Sequence, residues 1–530
     1  MMIERVIVKN YRALREADVT LNSTLNIIVG DNESGKSTLL EAINLALKCQ
    51  INRRPAMQEL HPFLLNADSV HEFVTSHKHG KPTPPPTVLI ELYLADKPEF
   101  ADFKGTNNSE KADVPGVSLS VALDPDFYEE YKEYVADAAQ LNGVPIEYYQ
   151  IVWQSFAGHP MSSRALPFRS AMIDPSAMSN TYAANKYVLE IVRDYLTDKQ
   201  KVDLALSYRK MRDVFLSDDN VTEINKELAG KTGEVTDKTL SVAMDTTTRA
   251  SWETGVLPHL DDIPLTLVGK GEQNAIKIKL AIESESSTNV LLLEEPENHL
   301  SHANLNRLIN HIDARSADKQ LIVTTHSSFV LNKLGVDHIL MFNGKTGITL
   351  NELPPETKKY FMRLPGHDTL RMVLSARCIL VEGPSDELIV QKAYKQAHGK
   401  MPLEDGVEVI AVGSLAFKRF LDIAKLLEID ARVVTDNDSD ADAVKEKYAD
   451  YLGLPTIKVC FDPDEAYPTL EPQLLKATGR DRLNAILRKN FADDAALLDY
   501  MTKHKTAVAL AIFESEGEIG IPDYIKNAIG

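Results

Sequence analysis

The chain has 530 residues, more than one hydrophobic core supports, since single cores stop growing at roughly 250–300 residues. Its 77 acidic and 58 basic residues give a net charge of −19, which excludes a uniformly basic nucleic-acid binder but not a local basic groove. The 44% hydrophobic content, the lack of a long apolar run and the three scattered cysteines predict a cytoplasmic globular protein that does not enter a membrane.

The first fifty residues predict a strand, a turn, a second strand, a loop and a helix. Apolar runs at 6–8 and 25–29 give the strands, and TLLEAINLALK has the helical pattern. Between them lies GDNESGKS, residues 30–37, which fits the phosphate-loop pattern G-x-x-x-x-G-K-[ST]. Because its glycines let the backbone wrap closely, successive N–H groups and the helix N-terminus can hold phosphate oxygens. The sequence therefore predicts an ATP site.

The side chains of this loop have separate predicted roles. Lys36 would reach the β- and γ-phosphates, and the Ser37 hydroxyl would bind Mg²⁺. Asn32, Gly35 and Thr38 are predicted to belong to the same nucleotide site.

Residues from about 51 to 257 are harder to interpret. They contain a proline cluster at 82–86, a strand-like run TVLIELYLA and a helical pattern from about 185 to 228. No family motif can be placed among them, so the residues themselves predict only secondary structure there.

An apolar strand, NVLLLEEPE, delivers two acidic residues at its carboxyl end. Ligands of open α/β sheets bind at that end of the strands. Glu294 would hold Mg²⁺ through water, and Glu295 would polarise the water that attacks ATP. A solvated acidic turn is the alternative, but the phosphate loop independently requires such a partner.

The next strand, QLIVTTHSS, ends in His326. The order of phosphate loop, acidic strand and strand-end histidine resembles ABC-type ATPases. This resemblance implies that His326 senses the γ-phosphate and that Gly271, in GKGEQ, belongs to a signature loop that completes a partner's ATP site. ATP would then lie between two protomers. The sequence departs from that class in lacking the Ser-Gly-Gly core of the signature and in having Glu294 where aspartate is usual.

A second acidic set follows two later strands. Glu382 and Asp386 end CILVEGPSD, and Asp436 and Asp438 end ARVVTDNDSD. An alternating D-x-D at the end of a strand points both carboxylates to one side. Oxygen ligands of this density suit hard cations such as Mg²⁺, Mn²⁺ or Ca²⁺.

These two strands together resemble the Toprim fold. The resemblance implies that Glu382 serves in acid/base or metal roles and that the aspartates bind metal. An ABC ATPase followed by Toprim resembles the OLD (overcoming lysogenization defect) family of nucleases, which includes the Gabija anti-phage nuclease subunit. By that resemblance Glu471 is a further metal ligand and Lys505 stabilises transition-state charge.

The predicted fold class is α/β, with an N-terminal ABC-type ATPase domain, an inserted and mostly helical dimerisation region, and a C-terminal Toprim domain. The expected bounds are 1–180 and 261–355 for the ATPase domain, 181–260 for the insertion and 356–530 for Toprim. The resemblance implies an ATP-binding, metal-dependent DNA endonuclease of bacterial anti-phage defence. Its partners would be DNA, further copies of the chain in a homodimer or higher oligomer, and a helicase or other defence protein.

Two other functions are alternatives to the endonuclease hypothesis. A recombination-type ABC clamp would bind DNA with ATP and use Toprim as a non-cleaving scaffold, but the full acidic set argues against a degenerate domain. A topoisomerase would need a nucleophilic tyrosine beside Toprim. Tyr448, Tyr451, Tyr467 and Tyr500 are available, yet none lies in a recognisable nucleophile module.

Overall fold

In the computed structural model of the chain, the described residues form two compact units. One comprises Met1–Asn26 and Ser37–Thr325, and the other comprises Ile27–Lys36 and His326–Gly530. The described residues exclude 1, 31–33, 52–53, 138–140, 163–164, 175–195, 232–237, 245–251, 253–255, 284–287, 316–318, 328–329, 331–337, 343–344, 351–352, 364–370, 374, 376 and 414–415.

Strands and α-helices alternate along most of the chain. The strands are β1 (Ile3–Tyr11), β2 (Leu14–Thr20), β3 (Leu25–Val29), β4 (Gln50–Ile51), β5 (Arg54–Pro55), β6 (Val88–Leu94), β7 (Lys104–Gly105), β8 (Val114–Leu123), β9 (Tyr149–Ser155), β10 (Arg169–Ile173), β11 (His259–Leu260), β12 (Ile263–Pro264), β13 (Thr288–Glu294), β14 (Gln320–Thr324), β15 (Ile339–Phe342), β16 (Gly347–Thr349), β17 (Arg377–Val381), β18 (Val407–Ala411), β19 (Asp430–Val434) and β20 (Ile457–Cys460). The α-helices are α1 (Lys36–Lys48), α2 (Ala67–Lys78), α3 (Tyr128–Ala136), α4 (Asp198–Leu216), α5 (Asp219–Ala229), α6 (Lys270–Glu283), α7 (His302–Arg315), α8 (Pro355–Arg363), α9 (Pro384–His398), α10 (Phe417–Leu427), α11 (Ala441–Lys447), α12 (Leu470–Thr478), α13 (Arg480–Leu487), α14 (Asp494–Lys503), α15 (Lys505–Glu514) and α16 (Asp523–Ile529).

The first unit contains an antiparallel sheet in the order β2-β1-β6-β8-β7, and β9 also pairs with β8. Val117, Leu119 and Val121 of β8 are buried at alternate positions, the period that a strand presents to one face. The run TVLIELYLA forms β6 as predicted, whereas the sequence patterns do not predict β2, β8 and β9. The parallel α/β prediction is therefore incomplete for this half of the chain.

The same unit contains the parallel strands β10, β13 and β14, with β13 between the other two. Leu291, Leu292 and Leu293 of β13 are almost fully buried, as expected for a parallel strand covered on both faces. The buried amide of Gln320, at the start of β14, donates to the Ile3 carbonyl at 2.7 Å and accepts from the Ile3 N–H at 2.8 Å. This exchange ties β14 to the first strand of the antiparallel sheet.

The second unit contains two groups of strands. β3 pairs in parallel with β15, which pairs antiparallel with β16. Further along the chain, β18-β17-β19-β20 form a parallel sheet, and helices α9, α15 and α16 contribute to the hydrophobic core beside it. The parallel α/β architecture predicted for this half is confirmed.

Helices α4 and α5 lie in the segment predicted to be a helical insertion. α4 begins with a capping box, in which Thr197 and Gln200 bond each other's backbone N–H groups. Among the described helices, none combines the length and apolar character that a membrane span requires.

Candidate functional site

The phosphate loop begins directly after β3, in the second unit. A Cβ on Gly30 would lie 2.2 Å from the Phe342 carbonyl oxygen, so only glycine fits there. Gly35 has a φ of 85°, in the left-handed region that glycine tolerates best. The buried ammonium of Lys36 donates to the Gly30 carbonyl at 2.9 Å, which places its charge inside the loop. Asn32 lies outside the described residues.

Ser37 and Glu294 meet in the first unit. Burial raises the pKa of Glu294, a hydrogen bond with Ser37 opposes that rise, and the charges of Asp174, Glu41 and Glu295 add to it. A hydroxyl and a carboxylate in contact are oxygen donors that suit Mg²⁺. The two residues predicted to share a metal ion are thus brought together, and Thr38 follows them on α1.

Sequence reasoning missed Asp174 and Glu41 beside this pair. Glu41 lies one helical turn after Ser37 on α1, and it forms an ion pair with Arg12. Asp174 follows β10, whose Ile173 lies opposite Leu293 in the parallel register. The spacing of four residues between Ser37 and Glu41 on one helix could have indicated Glu41. The position of Asp174 depends on the pairing of β10 with β13, which no sequence motif indicates.

Glu295 is held in a fixed position after β13. Its backbone has a φ of 41°, its N–H donates to the Thr324 carbonyl at 2.9 Å, and the Asn298 amide donates to its carboxylate at 2.7 Å. His326 lies just after β14 and is half-buried. Catalytic roles for Glu295 and His326 stay predictions.

Gly271 lies in the first turn of α6 and touches the turn that follows β13. A Cβ at this position would come within 2.2 Å of the His299 carbonyl oxygen. Close packing inside one protomer therefore explains the glycine, and the role of Gly271 in a partner's ATP site stays a prediction.

In the second unit, Glu382, Asp386, Asp436, Asp438 and Glu471 lie close enough to affect one another, and they are called the acidic cluster below. Burial, then the charges of the other four, raises the pKa of Asp436 to about 8. Burial, then the charge of Glu382, raises the pKa of Asp386 to about 6. Mutual repulsion of this kind is relieved when a cation binds.

Two hydrogen-bond arrangements fix the first loop of the acidic cluster. Glu382 accepts from the Thr435 hydroxyl at 2.6 Å and from the Asp436 N–H at 3.2 Å, so it bridges the ends of β17 and β19. Asp386, the third residue of α9, accepts from the N–H of Gly383, the residue before the helix, at 3.1 Å. Asp386 therefore has a helix-capping role besides its place in the cluster.

The D-x-D argument from strand alternation does not apply to Asp436 and Asp438. β19 ends at Val434, so both residues lie in the following loop, where Asp438 has a φ of 46° and is exposed. Asn437 between them holds this loop. It is 1% exposed, and its amide donates to the carbonyls of Asp462 and Asp464 at 2.8 and 3.0 Å. Sequence reasoning missed this asparagine.

Glu471 and Lys505, which the family resemblance connects with the cluster, are in contact. The Lys505 ammonium lies 3.2 Å from the Glu471 carboxylate, and their side chains are 49% and 5% exposed. The Thr469 hydroxyl also donates to Glu471, at 3.1 Å. Lys505 thus brings a solvent-accessible positive charge to the edge of the acidic cluster.

The donors of the acidic cluster fit a hard divalent cation in chemistry, since all are carboxylate oxygens. Within the part of the chain that the structure describes, no three His, Cys, Asp or Glu side chains are already arranged as a metal-binding group. The individual ligand assignments therefore stay predictions.

Three family models match separate parts of the chain. Residues 1–113 match an AAA ATPase domain, 154–332 match an AAA domain described as putative AbiEii toxin, Type IV TA system, and 373–438 match the Toprim domain of overcoming lysogenization defect protein-like sequences. The last range contains four members of the acidic cluster. The chain combines AAA ATPase domains with an OLD-like Toprim domain. These domain types use nucleotide and divalent metal in general.

Curated relatives are similar to this chain over most of their own length. The chain is 23% identical to the OLD nuclease of Thermus scotoductus over 470 residues, which cover 82% of each chain. It is 19% identical to Endonuclease GajA of Bacillus cereus over 477 residues, 86% of this chain and 78% of that one. It is also 23% identical to the DNA replication and repair protein RecF of Lactobacillus acidophilus over 362 residues, 61% of this chain and 92% of that one.

Proposed function

We propose that this protein is an ATP-binding, metal-dependent DNA endonuclease whose ATPase domain regulates cleavage by the Toprim domain. The observation that supports this most is the acidic cluster, in which neighbouring carboxylates and burial raise the pKa of Asp436 to about 8. Such a concentration of negative charge repels a phosphodiester until cations bind, and then attracts it. Names of the relatives, OLD nuclease and Endonuclease GajA, agree with this activity.

The acidic cluster would hold Mg²⁺ or Mn²⁺, with Ca²⁺ as a further candidate. Bound divalent cations activate a water molecule and stabilise the leaving oxygen of a phosphodiester. Glu382 is fixed by two hydrogen bonds and so keeps its carboxylate oriented toward Asp436. Lys505 lies at the exposed edge, where its ammonium can meet a non-bridging phosphate oxygen.

The ATPase domain would bind ATP and Mg²⁺ through the phosphate loop and the acidic strand. Lys36 and Gly35 would hold the phosphates, and Ser37, which contacts Glu294, would hold the metal ion. Glu295, held by Asn298, would orient the attacking water. His326 and Gly271 would complete the γ-phosphate environment, the latter in the site of a second protomer.

The protein would assemble as a homodimer or higher oligomer through its helical insertion. Large apolar side chains on α4 and α5 are exposed, among them Val202, Met211, Val214 and Ile224. Several such side chains on one short segment are typical of a surface that another chain covers. Light scattering of Met211→Glu/Val214→Glu should show smaller particles than the wild type; an unchanged mass would contradict this interface.

Cleavage of supercoiled plasmid tests the central proposal. With Mg²⁺ or Mn²⁺, the wild type should nick or linearise the plasmid, and Asp436→Ala should not, while its affinity for ATP is unchanged. Asp442→Ala is the matched control, because Asp442 is an exposed residue of α11 that pairs with Lys445 at 2.7 Å. Retained cleavage by Asp436→Ala would contradict the site.

A second candidate function is an ATP-dependent DNA clamp of the recombination and repair type. It is favoured by the similarity to RecF, which spans 92% of that protein. Binding of DNA that requires ATP, without any cleavage at any tested metal concentration, would support the clamp. A topoisomerase is less supported, since Tyr448 and Tyr451 are buried.

The biological role that we propose is anti-phage defence, in which a helicase or another defence protein acts with the nuclease. The similarity to the OLD family supports it. Plaque counts on cells that express the wild type should fall relative to Asp436→Ala, and equal counts would argue against this role.

A further inference from the structure

The C-terminal helix α16 contributes one buried tyrosine whose hydroxyl is unpartnered. Tyr524 is 4% exposed, and its hydroxyl has no hydrogen-bond partner in the structure. A buried polar atom without a partner costs free energy, so native proteins rarely keep one unless a water molecule or a ligand supplies the bond. We therefore expect the hydroxyl of Tyr524 to gain a hydrogen-bond partner when the neighbouring acidic cluster binds its ligands.

Tyr524 shares its core with Val434 and Leu470, which lie two residues before Asp436 and directly before Glu471. Burial, followed by the charges of Asp436, Asp386 and Asp462, raises the pKa of Tyr524 well above its ordinary value. These charge effects agree with that placement, because charge interactions weaken with distance. The phenol accordingly stays protonated at neutral pH and offers one O–H donor to the cluster.

Packing fixes the ring that carries this donor. Tyr524 belongs to the hydrophobic core of the Toprim domain, together with Ile525 and Ile529 of the same helix and Ile389 of α9. The first turn of α9 carries Asp386. The core therefore holds the hydroxyl at a set place relative to the cluster, as a positioning group requires.

Of the other buried tyrosines of this domain, Tyr451 and Tyr394 have hydroxyl partners, whereas the Tyr448 hydroxyl, like that of Tyr524, has none. The Tyr451 hydroxyl donates to Asp422 at 2.7 Å, and the Tyr394 hydroxyl donates to Asp405 at 2.9 Å. The Tyr524 hydroxyl is unpartnered in a core that adjoins Asp436 and Glu471 through Val434 and Leu470. Water can accept from a phenol and donate to a carboxylate at the same time, so it matches both sides of this gap.

We propose that Tyr524 is a positioning residue of the Toprim site, whose hydroxyl donates a hydrogen bond to a water molecule that the acidic cluster holds when a divalent cation is bound. This inference rests on the proposed function, since it requires the cluster to bind a divalent cation. It adds a group from the C-terminal helix to a site otherwise built from the loops after β17 and β19 and from the first turn of α12.

Calorimetric titration of the full chain with Mn²⁺, without nucleotide, tests this role. Tyr524→Phe keeps the ring and removes only the hydroxyl, so we expect about tenfold weaker Mn²⁺ binding, the usual cost of losing a group that orients a metal site. Its Tm without metal should be unchanged or higher, because the hydroxyl lost has no partner there. Tyr451→Phe is the control, with wild-type Mn²⁺ affinity and a lower Tm.

The outcomes distinguish failure of the role of Tyr524 from failure of the proposed metal site. Wild-type Mn²⁺ affinity in Tyr524→Phe, with or without a lower Tm, would overturn the positioning role. Asp436→Asn is titrated in parallel. If Asp436→Asn binds weakly and Tyr524→Phe binds normally, only the role of Tyr524 fails; if Asp436→Asn binds like the wild type, the proposed metal site fails.

Discussion

The nucleotide site and the acidic cluster both place carboxylates after parallel strands, yet they differ in how that charge is balanced. At Glu294, a hydroxyl of the neighbouring helix bonds the carboxylate and opposes the rise of its pKa. At Asp436, burial and four other carboxylates all raise the pKa, to about 8. Lys505 contacts the cluster at Glu471, and its side chain is 49% exposed.

This difference indicates what each site requires before it can hold a phosphate. The phosphate loop contains a buried ammonium and backbone N–H groups of its own, so it can attract phosphate directly. The acidic cluster must first be neutralised by cations. We therefore expect nucleotide binding to depend on the ammonium group of Lys36. We expect DNA cleavage to depend on added divalent metal.

The largest expected effect is on nucleotide binding. Lys36→Ala removes the ammonium that bonds the Gly30 carbonyl in the loop, and we expect ATP affinity to fall about 100-fold, the value of a strong charge-assisted contact. A fluorescent ATP analogue gives the affinity by anisotropy. Lys78→Ala, at the exposed end of α2, should bind like the wild type. Equal affinities of the two variants would place the phosphates elsewhere.

A smaller effect, on the rate of DNA cleavage, is expected when the ammonium group of Lys505 is removed from the edge of the acidic cluster. Lys505→Met should slow plasmid cleavage about tenfold. Removing a buried electrostatic donor would slow a reaction more, but water screens the charge of this half-exposed side chain. Mn²⁺ affinity should be unchanged or higher, since a positive charge is removed. Lys503→Met is the control, because Lys503 pairs with Asp499 at 2.7 Å. Unchanged cleavage by Lys505→Met would exclude a role in the reaction.

The sequence predicts those parts of both sites that depend on local geometry. Lys36 and Ser37 belong to one continuous loop and helix start, and β13 brings Glu294 to the strand end that open sheets use for ligands. Asp174 and Tyr524 could not be predicted in this way. The first depends on the pairing of β10 with β13, and the second on the packing of the last helix, and neither leaves a local pattern.

The antiparallel sheet was predicted only in part, at β1 and β6, for a related reason. Its strand β8 reads VPGVSLSVAL, in which proline, glycine and serine weaken the apolar alternation. The structure explains the glycine, since a Cβ on Gly116 would lie 2.1 Å from the Phe156 ring, which packs edge-on against Tyr93 at 5.0 Å between centroids. Only the tertiary contact shows why a poor strand former belongs there.

The pH dependence of stability tests the charge balance of the acidic cluster. The folded-state pKa of Asp436, about 8, exceeds the ordinary value of 3.8, so the folded state holds this proton more tightly. That stabilisation is complete below about pH 4 and is lost as the pH rises through about 8. Without metal, the Tm of the wild type should fall by a few degrees more between pH 5 and 9 than that of Asp436→Asn. Parallel curves would contradict the raised pKa, and added Mn²⁺ at pH 8 should restore the wild-type Tm.

The smallest expected effect concerns the two asparagines that hold the acidic loops. Asn437 is 1% exposed and bonds two carbonyls, so Asn437→Ala should lower the free energy of unfolding by about 2 kcal/mol. Asn298 is half-buried and bonds one carboxylate, so Asn298→Ala should cost less, about 0.5–1 kcal/mol. Urea denaturation followed by circular dichroism measures both. If Asn298→Ala proved the more destabilising, the acidic turn of the ATPase domain, and not the Toprim loop, would be the more tightly held of the two sites.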